Sequence, residues 1–202
     1  MSVATVSPEQ YLPAAGMEDR AMTALLACIA RFGLGKTTLD DVAREAGCSR
    51  ATLYRYFDGK AELVRRTVEA EQGRITGLMV DLARAAPTFA DAVVAVVTTA
   101  ARELVGSEAL QFLLAYEPEA ILGHLAFGPG DQVLVAVGDA CAPGFDAWLT
   151  PIDAARAGDW LARILRSYVL MPDLPIDLTD PVPARRFLES FVIPGLEPRS
   201  GS

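Results

Sequence analysis

The sequence predicts an all-α protein in which three short helices at the N-terminus precede a larger helical region. Apolar residues recur every three or four positions in segments that begin at Ser, Thr or Pro and end at Gly or Pro. No segment keeps the apolar–polar alternation of a strand. The 202 residues are 51% hydrophobic and 22% charged, which excludes a disordered chain. No stretch approaches about 18 apolar residues, so no transmembrane helix is expected.

Local features of the sequence place an N-terminal tail and the two ends of the first helix. Residues 1–17 contain two prolines and no periodicity, which predicts a loose tail. Helical spacing of apolar residues starts at Glu18, and Gly33 supplies the C-terminal stop. The first helix is therefore predicted between these two residues.

Two short helices are predicted next. Thr38 is a suitable N-cap, and Asp41 three residues later completes a variant of the capping box. This helix should end at about Ala46, before a glycine. Ser49 can then cap a second short helix over residues 50–56.

The remainder of the chain is predicted as a series of helices separated by Pro and Gly. They are expected at about 60–85, 89–104, 108–115, 118–125, 131–140, 151–168 and 184–193. The sequence thus divides into the tail (1–17), a head (18–66) and a helical body (67–198).

Charge is distributed unevenly between head and body. The whole chain carries −8, which by itself argues against binding to nucleic acid. Residues 18–66 nevertheless carry +2 and contain both lysines, whereas residues 67–202 carry −9. This asymmetry indicates a nucleic-acid-facing head on an acidic body.

The two short helices and the glycine turn between them form a helix-turn-helix pattern over about residues 38–57. Hydrogen-bond donors cluster on the second helix, where they can contact phosphates or bases. They are Ser49, Arg50, Thr52, Tyr54 and Tyr56. The small Ala51 permits close approach to base edges, and Arg50 can bind guanine with two hydrogen bonds.

Over about residues 18–63 the sequence resembles the TetR family of transcriptional regulators. The resemblance rests on Gly33, on Thr-Thr-Leu-Asp-Asp-Val-Ala at 37–43, on Ala-Gly-Cys-Ser-Arg-Ala-Thr-Leu-Tyr-Arg-Tyr-Phe at 46–57, and on Lys60 and Leu63. It implies that Arg50 and Ala51 face the groove of the DNA. Positions that contact the DNA backbone are, by the same resemblance, Thr38, Thr52, Tyr54, Tyr56 and Lys60.

The resemblance also implies an all-helical C-terminal domain, a homodimer and a small-molecule inducer. We therefore expect a ligand-responsive regulator that binds double-stranded DNA at a palindromic operator, most simply a repressor, and not an enzyme. Three cysteines without a CxxC pair and a single histidine predict no disulfide framework, no zinc site and no cofactor. A reducing cytoplasm is the expected location.

Candidate residues of the body are aromatic and apolar. Small and slim side chains among a few large ones can leave an apolar cavity for an inducer, or an ordinary packed core. The candidate pocket residues are Phe112, Tyr116, His124 and Trp148. Candidate dimer contacts, on the helix after residue 151 and on the last helix, are Trp160, Leu161, Ile164, Tyr168, Phe187 and Phe191.

One alternative function comes from a loose phosphate-loop match. Residues 30–37, Ala-Arg-Phe-Gly-Leu-Gly-Lys-Thr, have its spacing with alanine at the first position. A nucleotide-binding protein or helical enzyme would use this segment, but the motif requires a preceding strand and a following helix, and here a helix is predicted before it.

Overall fold

The computed structural model describes residues 16–120, 138–170 and 176–196, and within these ranges the regular structure is helical, with no strand. The helices are α1 (Met17–Phe32), α2 (Leu39–Glu45), α3 (Arg50–Tyr56), α4 (Lys60–Ala85), α5 (Phe89–Gly106), α6 (Glu108–Tyr116), α7 (Pro151–Leu170), α8 (Pro181–Phe191) and α9 (Ile193–Leu196). Residues 138–141 are also helical and lead into a 3₁₀ turn at Ala142–Gly144. The all-α prediction is confirmed.

Side-chain caps determine where α2 and α3 begin, as predicted. The Thr38 hydroxyl accepts a hydrogen bond from the Asp41 N–H at 3.2 Å, and the Asp41 carboxylate accepts one from the Thr38 N–H at 3.0 Å. The Ser49 hydroxyl accepts the Thr52 N–H at 3.1 Å and so caps α3. Each pair satisfies backbone donors that the first turn of a helix leaves without a partner.

Gly33 ends α1 with a backbone φ of 81°, a conformation that favours glycine. A Cβ atom here would also lie 2.8 Å from the ring of Phe112 and against the carboxylate of Glu117, so these side chains would have to shift. α6 therefore approaches the end of α1 closely at this point.

The head core is built by the first four helices together with α6. Leu25 and Ile29 of α1, Leu53 of α3 and Leu63 of α4 are buried in one cluster. Ala109 and Leu113 of α6 belong to the same cluster, which also includes Ala21, Ala24, Cys28, Val42, Ala43 and Phe57. The predicted boundary between residues 66 and 67 falls inside α4, and α6 adds a body segment to the head core.

The body core surrounds α5, whose Val93 and Val97 are fully buried. α4, α7 and α8 pack against this helix. Phe145 lies at one end of the core, with its ring centroid 5.9 Å from that of Phe89. α4 also contributes to this core through Met79 and Ala83, so one continuous helix joins the two cores.

Two glycines allow α7 to approach the helical segment 138–141. A Cβ atom on Gly158 would lie 2.8 Å from both the Cα and the carbonyl oxygen of Gly138. A Cβ atom on Gly138 would lie 2.9 Å from backbone atoms of Ala155 and Asp159. The two backbones therefore meet at a distance that only glycine permits.

α8 begins three residues before the predicted Ala184, because Asp180 caps it and Pro181 occupies its first position. The Asp180 carboxylate accepts the Val182 N–H at 2.8 Å. An ion pair between Arg185 and Asp91, at 2.7 Å, holds α8 against α5.

Some predicted segments lie outside the described residues. They are nearly all of the tail 1–17, most of the helix at 118–125 with His124, and most of the helix ending at 140. Among the helices that are described, none has the length and apolar character needed to cross a membrane.

Candidate nucleic-acid interface and body surfaces

α3 is anchored on one side and exposed on the other. Leu53 and, just after the helix, Phe57 are buried in the head core. Arg50, Ala51 and Tyr54 are exposed. The helix therefore presents a polar outward face with a small residue at its N-terminal end.

Arg50 is held in place on this face by two neighbours. Its Nη1 donates to Oδ2 of Asp40 on α2 at 3.2 Å, and its Nη2 donates to the Tyr54 hydroxyl at 3.3 Å. The guanidinium also lies over the Tyr54 ring, 5.4 Å from its centroid. The hydrogen bond to Tyr54 and the charge of Asp40 raise the pKa of Arg50 above its ordinary value.

The remaining polar candidates lie around α3. Thr38 and Ser49 are exposed at the starts of α2 and α3, and Thr52 is half-buried with its hydroxyl 2.9 Å from that of Ser49. Tyr56 is exposed at the end of α3, beneath the guanidinium of Arg55 at 5.3 Å. These predicted DNA contacts therefore lie along α3 and at the start of α2.

Lys60 makes a contact that the sequence did not reveal. Its Nζ donates to the carbonyl oxygen of Leu34 at 2.5 Å, so the side chain supports the turn between α1 and α2.

Arg66 joins three parts of the head. Its guanidinium lies 5.1 Å from the Phe57 ring centroid, pairs with Glu18 and donates to the Tyr56 carbonyl at 3.3 Å. These contacts link α1, α4 and the end of α3. The sequence shows only the order of the charged residues along the chain. These contacts of Arg66 could therefore not be predicted from it.

The phosphate-loop alternative is contradicted by the structure. α1 occupies the position where the motif needs a strand. Thr37, which would have to reach a metal ion, is 2% exposed, and its hydroxyl donates to the carbonyl of Gly33 at 2.6 Å. Residues 30–37 are therefore the end of α1 and the turn after it.

The described pocket candidates pack against different partners. Phe112 and Tyr116 pack together with ring centroids 4.9 Å apart, and Phe112 faces Gly33 at the head. Tyr116 is 72% exposed. Trp148 instead packs in the body core, 6.2 Å from Phe89.

The candidate dimer residues divide between surface and core. Trp160 is 59% and Phe191 77% exposed, and the Phe191 ring lies 5.7 Å from that of Phe187. Ile164 and Tyr168 are half-buried against the body core. Leu161 is only 2% exposed and packs inside its own protomer, so its predicted place on the pairing surface is wrong.

The cysteines form no disulfide. Burial raises the pKa of Cys28, and it raises that of Cys141 to about 11. In the described part of the chain, no group of three or more His, Cys, Asp and Glu side chains could hold a metal ion.

The head of the chain matches a known protein family. Residues 21–67 match the family model described as bacterial regulatory proteins, tetR family. The chain is 30% identical over 168 residues to uncharacterized HTH-type transcriptional regulators from two Mycobacterium tuberculosis strains. The alignment covers 81% of this chain and 77% of each relative.

Solved structures share the fold at lower identity. The TetR family repressor AlkX from Dietzia sp. strain DQ12-45-1b is 20% identical with a TM-score of 0.66, over 93% of this chain and 96% of that one. The fatty acid degradation regulator FadR from Bacillus halodurans is 18% identical with a TM-score of 0.61, over 88% and 96%. FadR from Bacillus subtilis, solved with stearoyl-CoA, is 17% identical with a TM-score of 0.58, over 86% and 98%.

Proposed function

Because the chain belongs to the TetR family of bacterial regulatory proteins, and is therefore a transcriptional regulator and not an enzyme, we propose that it is a repressor. It binds a palindromic operator as a homodimer and is released by a small, largely apolar inducer. Residues 18–66 form the DNA-binding head and residues 67–198 the inducer-binding and dimerisation domain. The protein works on DNA in the cytoplasm.

The outward face of α3 is the single observation that carries DNA binding. Leu53 fixes this helix to the head core, and Arg50 and Ala51 are exposed on its surface. In the proposed complex Arg50 reads a base in the major groove while Ala51 lets the helix approach. The residues proposed to contact the DNA backbone are Thr38, Ser49, Thr52, Tyr54, Tyr56 and Lys60.

Lys60 gains a second partner in this proposal. Its Nζ donates to the Leu34 carbonyl, and on DNA it would also donate to a phosphate oxygen. The ammonium group has three donors, so it can keep the carbonyl and still contact a phosphate oxygen.

The exposed aromatic side chains of α7 and α8 support the proposed dimer. Trp160 and Phe191 expose large apolar surfaces that a second copy of the chain would cover. Phe187, Ile164 and Tyr168 lie on the same two helices and are half-buried. A two-fold dimer presents two α3 helices to successive major grooves, about 34–36 Å apart.

The inducer class is inferred from chemistry and from the structural relatives. The FadR structure from Bacillus subtilis contains stearoyl-CoA, and AlkX is implicated in the biodegradation of n-alkanes. The body of this chain has a core of Val, Ala, Leu and Phe side chains. A ligand that enters it would need an apolar chain or ring.

Two helices connect the proposed inducer-binding body to the DNA-binding head in this fold. α4 contributes to both cores, and α6 follows α5 of the body core directly and packs on α1 of the head. An inducer weakens DNA binding only if it binds better to an arrangement that misplaces the two α3 helices. Operator DNA must then weaken the affinity for the inducer by the same factor, typically about 5–150-fold.

The proposal is tested in two stages with the purified full-length protein. Selection from a random duplex library should yield a palindromic site, and Arg50→Ala should lose the preference at one base pair of each half-site. Thermal-shift screening of fatty acids, acyl-CoA thioesters and aromatic compounds should then find a ligand, which is titrated with and without the operator. Equal affinities in the two titrations would contradict the induction mechanism, and absence of sequence-selective DNA binding would contradict the function as a whole.

A further inference from the structure

Asp40 on α2 reaches across the turn to Arg50 on α3. Their contact at 3.2 Å and the contact of Arg50 with Tyr54 at 3.3 Å involve different terminal nitrogens of the guanidinium. The Tyr54 ring also supports its flat face. Two side chains on two helices therefore orient one flexible side chain on the outward face of the head.

A contribution to folding stability does not explain the ion pair between Asp40 and Arg50. The side chains of Asp40 and Arg50 are each 57% exposed, and an exposed ion pair contributes little to folding. The ion pair has a larger effect on the orientation of the guanidinium than on folding stability. An arginine side chain that is free before binding loses much rotamer freedom when it is fixed on a binding partner. An arginine already held in place loses less on binding.

The held guanidinium keeps enough donors for a base. Arginine has five N–H groups, and Asp40 and Tyr54 occupy one on each terminal nitrogen. The other three remain available, and guanine presents two acceptors, N7 and O6, in the major groove. Arg50 can therefore contact a base without leaving Asp40.

Arg55 provides a contrast within the same helix. It is exposed and lies over the Tyr56 ring at 5.3 Å, but in the described part of the chain no carboxylate pairs with it. Of the two arginines of α3, only the one at its N-terminal end is oriented by an acid. The acid also places a negative charge where phosphates approach, which weakens binding to every DNA sequence equally.

We propose that Asp40 is a positioning residue for base recognition, which orients Arg50 and lowers the affinity for non-specific DNA. The base preference of Arg50 then depends on a residue of α2 that itself touches no base. This inference rests on the proposed function of α3 as the DNA-reading helix.

The test measures base preference as well as affinity. Full-length wild type, Asp40→Asn, Asp40→Glu, Arg50→Ala and the double variant Asp40→Asn/Arg50→Ala are each used to select sites from a random duplex library. Fluorescence anisotropy then gives Kd on the selected site and on a scrambled duplex at one fixed salt concentration. Asp58→Asn is the matched control, because it removes one exposed acid of the head that does not contact Arg50.

Wild type should prefer one base pair by about 5- to 150-fold, and Arg50→Ala should abolish that preference. Asp40→Asn should reduce the same preference at least about 5-fold and should tighten binding to scrambled DNA by about 2- to 5-fold. The double variant should discriminate no worse than Arg50→Ala alone, since Asp40 acts through Arg50. Asp40→Glu keeps the carboxylate and should retain most of the preference.

The control variant Asp58→Asn distinguishes an effect on the orientation of Arg50 from a general effect of removing one negative charge. Asp58→Asn should tighten binding to all sequences and leave the base preference intact. If Asp40→Asn behaves in the same way as Asp58→Asn, Asp40 is only a surface charge and the inference is overturned. If the wild type itself selects no sequence, the proposed function fails, and the role of Asp40 fails with it.

Discussion

The carboxylate of Glu117, at the end of α6, accepts a hydrogen bond from the backbone N–H of Gly35 at 2.9 Å. Eighty-two residues of sequence separate the two. On the other side of the same turn, Lys60 donates to the carbonyl of Leu34. The turn between α1 and α2 is thus held by one residue of the head and one of the body.

Glu117→Ala should loosen this turn without unfolding the protein. A net loss of about 0.5–1.5 kcal/mol is typical for one hydrogen bond. Hydrogen exchange of the peptide that contains Gly35 should therefore become about 2- to 13-fold faster, in line with that free energy. Glu119→Ala, a change at an exposed neighbour, is the control. Equal exchange in wild type and Glu117→Ala would show that the hydrogen bond does not hold the turn.

The capping box of α2 should make stability depend on pH. Hydrogen bonds from the side chain and backbone of Thr38 lower the pKa of Asp41 below its ordinary value of 3.8. Since the unfolded state then binds protons at a higher pH than the folded state, the ionised cap stabilises the fold above about pH 3.8. This contribution is lost as the pH falls through the lower pKa of the folded state.

Asp41→Asn removes the charge and keeps the shape, and urea denaturation at pH 7, 5 and 3 measures the result. The variant should be less stable than wild type at pH 7 and 5, and the difference should narrow at pH 3, where the unfolded state takes up a proton on Asp41 more readily than the folded state does. Asp58→Asn removes the same charge from the head without removing a cap. A difference between wild type and Asp41→Asn that stays constant down to pH 3 would exclude the ionised cap as its source.

The close contact of Gly158 with Gly138 should make Gly158→Ala destabilising. The added methyl group would meet backbone atoms at 2.8 Å, so the two helical segments must separate. Overpacking of this kind typically costs about 1–3 kcal/mol. Gly77→Ala is the opposite case, because nothing lies within 4 Å of the added Cβ on α4, and it should stabilise by about 0.5–1 kcal/mol. Thermal denaturation of both variants tests the contrast, and two shifts of the same sign would refute it.

Phe191→Glu should convert the proposed dimer to a monomer. The side chain is 77% exposed in the protomer, so the substitution leaves the core intact but places a charge on the proposed pairing surface. Light scattering should give the protomer mass of 21.5 kDa, with an unchanged circular dichroism spectrum and weaker operator binding. Tyr116→Glu, at an equally exposed aromatic residue of α6, should remain dimeric. A folded Phe191→Glu dimer would place the interface elsewhere.

Short-range chemistry made the head predictable from sequence. Each helix boundary here depends on residues within a few positions of it. The caps at Thr38 and Ser49 therefore placed the starts of α2 and α3 closely, and Gly33 placed the end of α1. Arg50 lies three residues before the buried Leu53, a spacing that places both on one face of a helix, so the exposure of Arg50 could not be derived from that burial. Its partner Asp40 could not be predicted, because their contact depends on how α2 crosses α3.

Long-range packing limited the predictions for the body. Trp160 and Leu161 are neighbours in one apolar stripe, and helical periodicity cannot decide which of two adjacent apolar residues faces the core. The structure buries the leucine and exposes the tryptophan. Phe112 and Trp148 were predicted to share a pocket only because both are aromatic. In the structure Phe112 of α6 lies against Gly33 of the head, whereas Trp148 packs on Phe89 of the body.

Ala109 and Leu113 of α6 complete the hydrophobic core of the first four helices. The proposed DNA-binding head is consequently not a unit that can be exchanged by itself. A chimaera that grafts residues 17–66 onto the body of another regulator would set α1 against a foreign α6 and leave its apolar side chains with an unmatched surface. Engineered sensors that exchange operator specificity between relatives should therefore transfer α6 and Glu117 together with the head, so that α1 keeps the helix it evolved with.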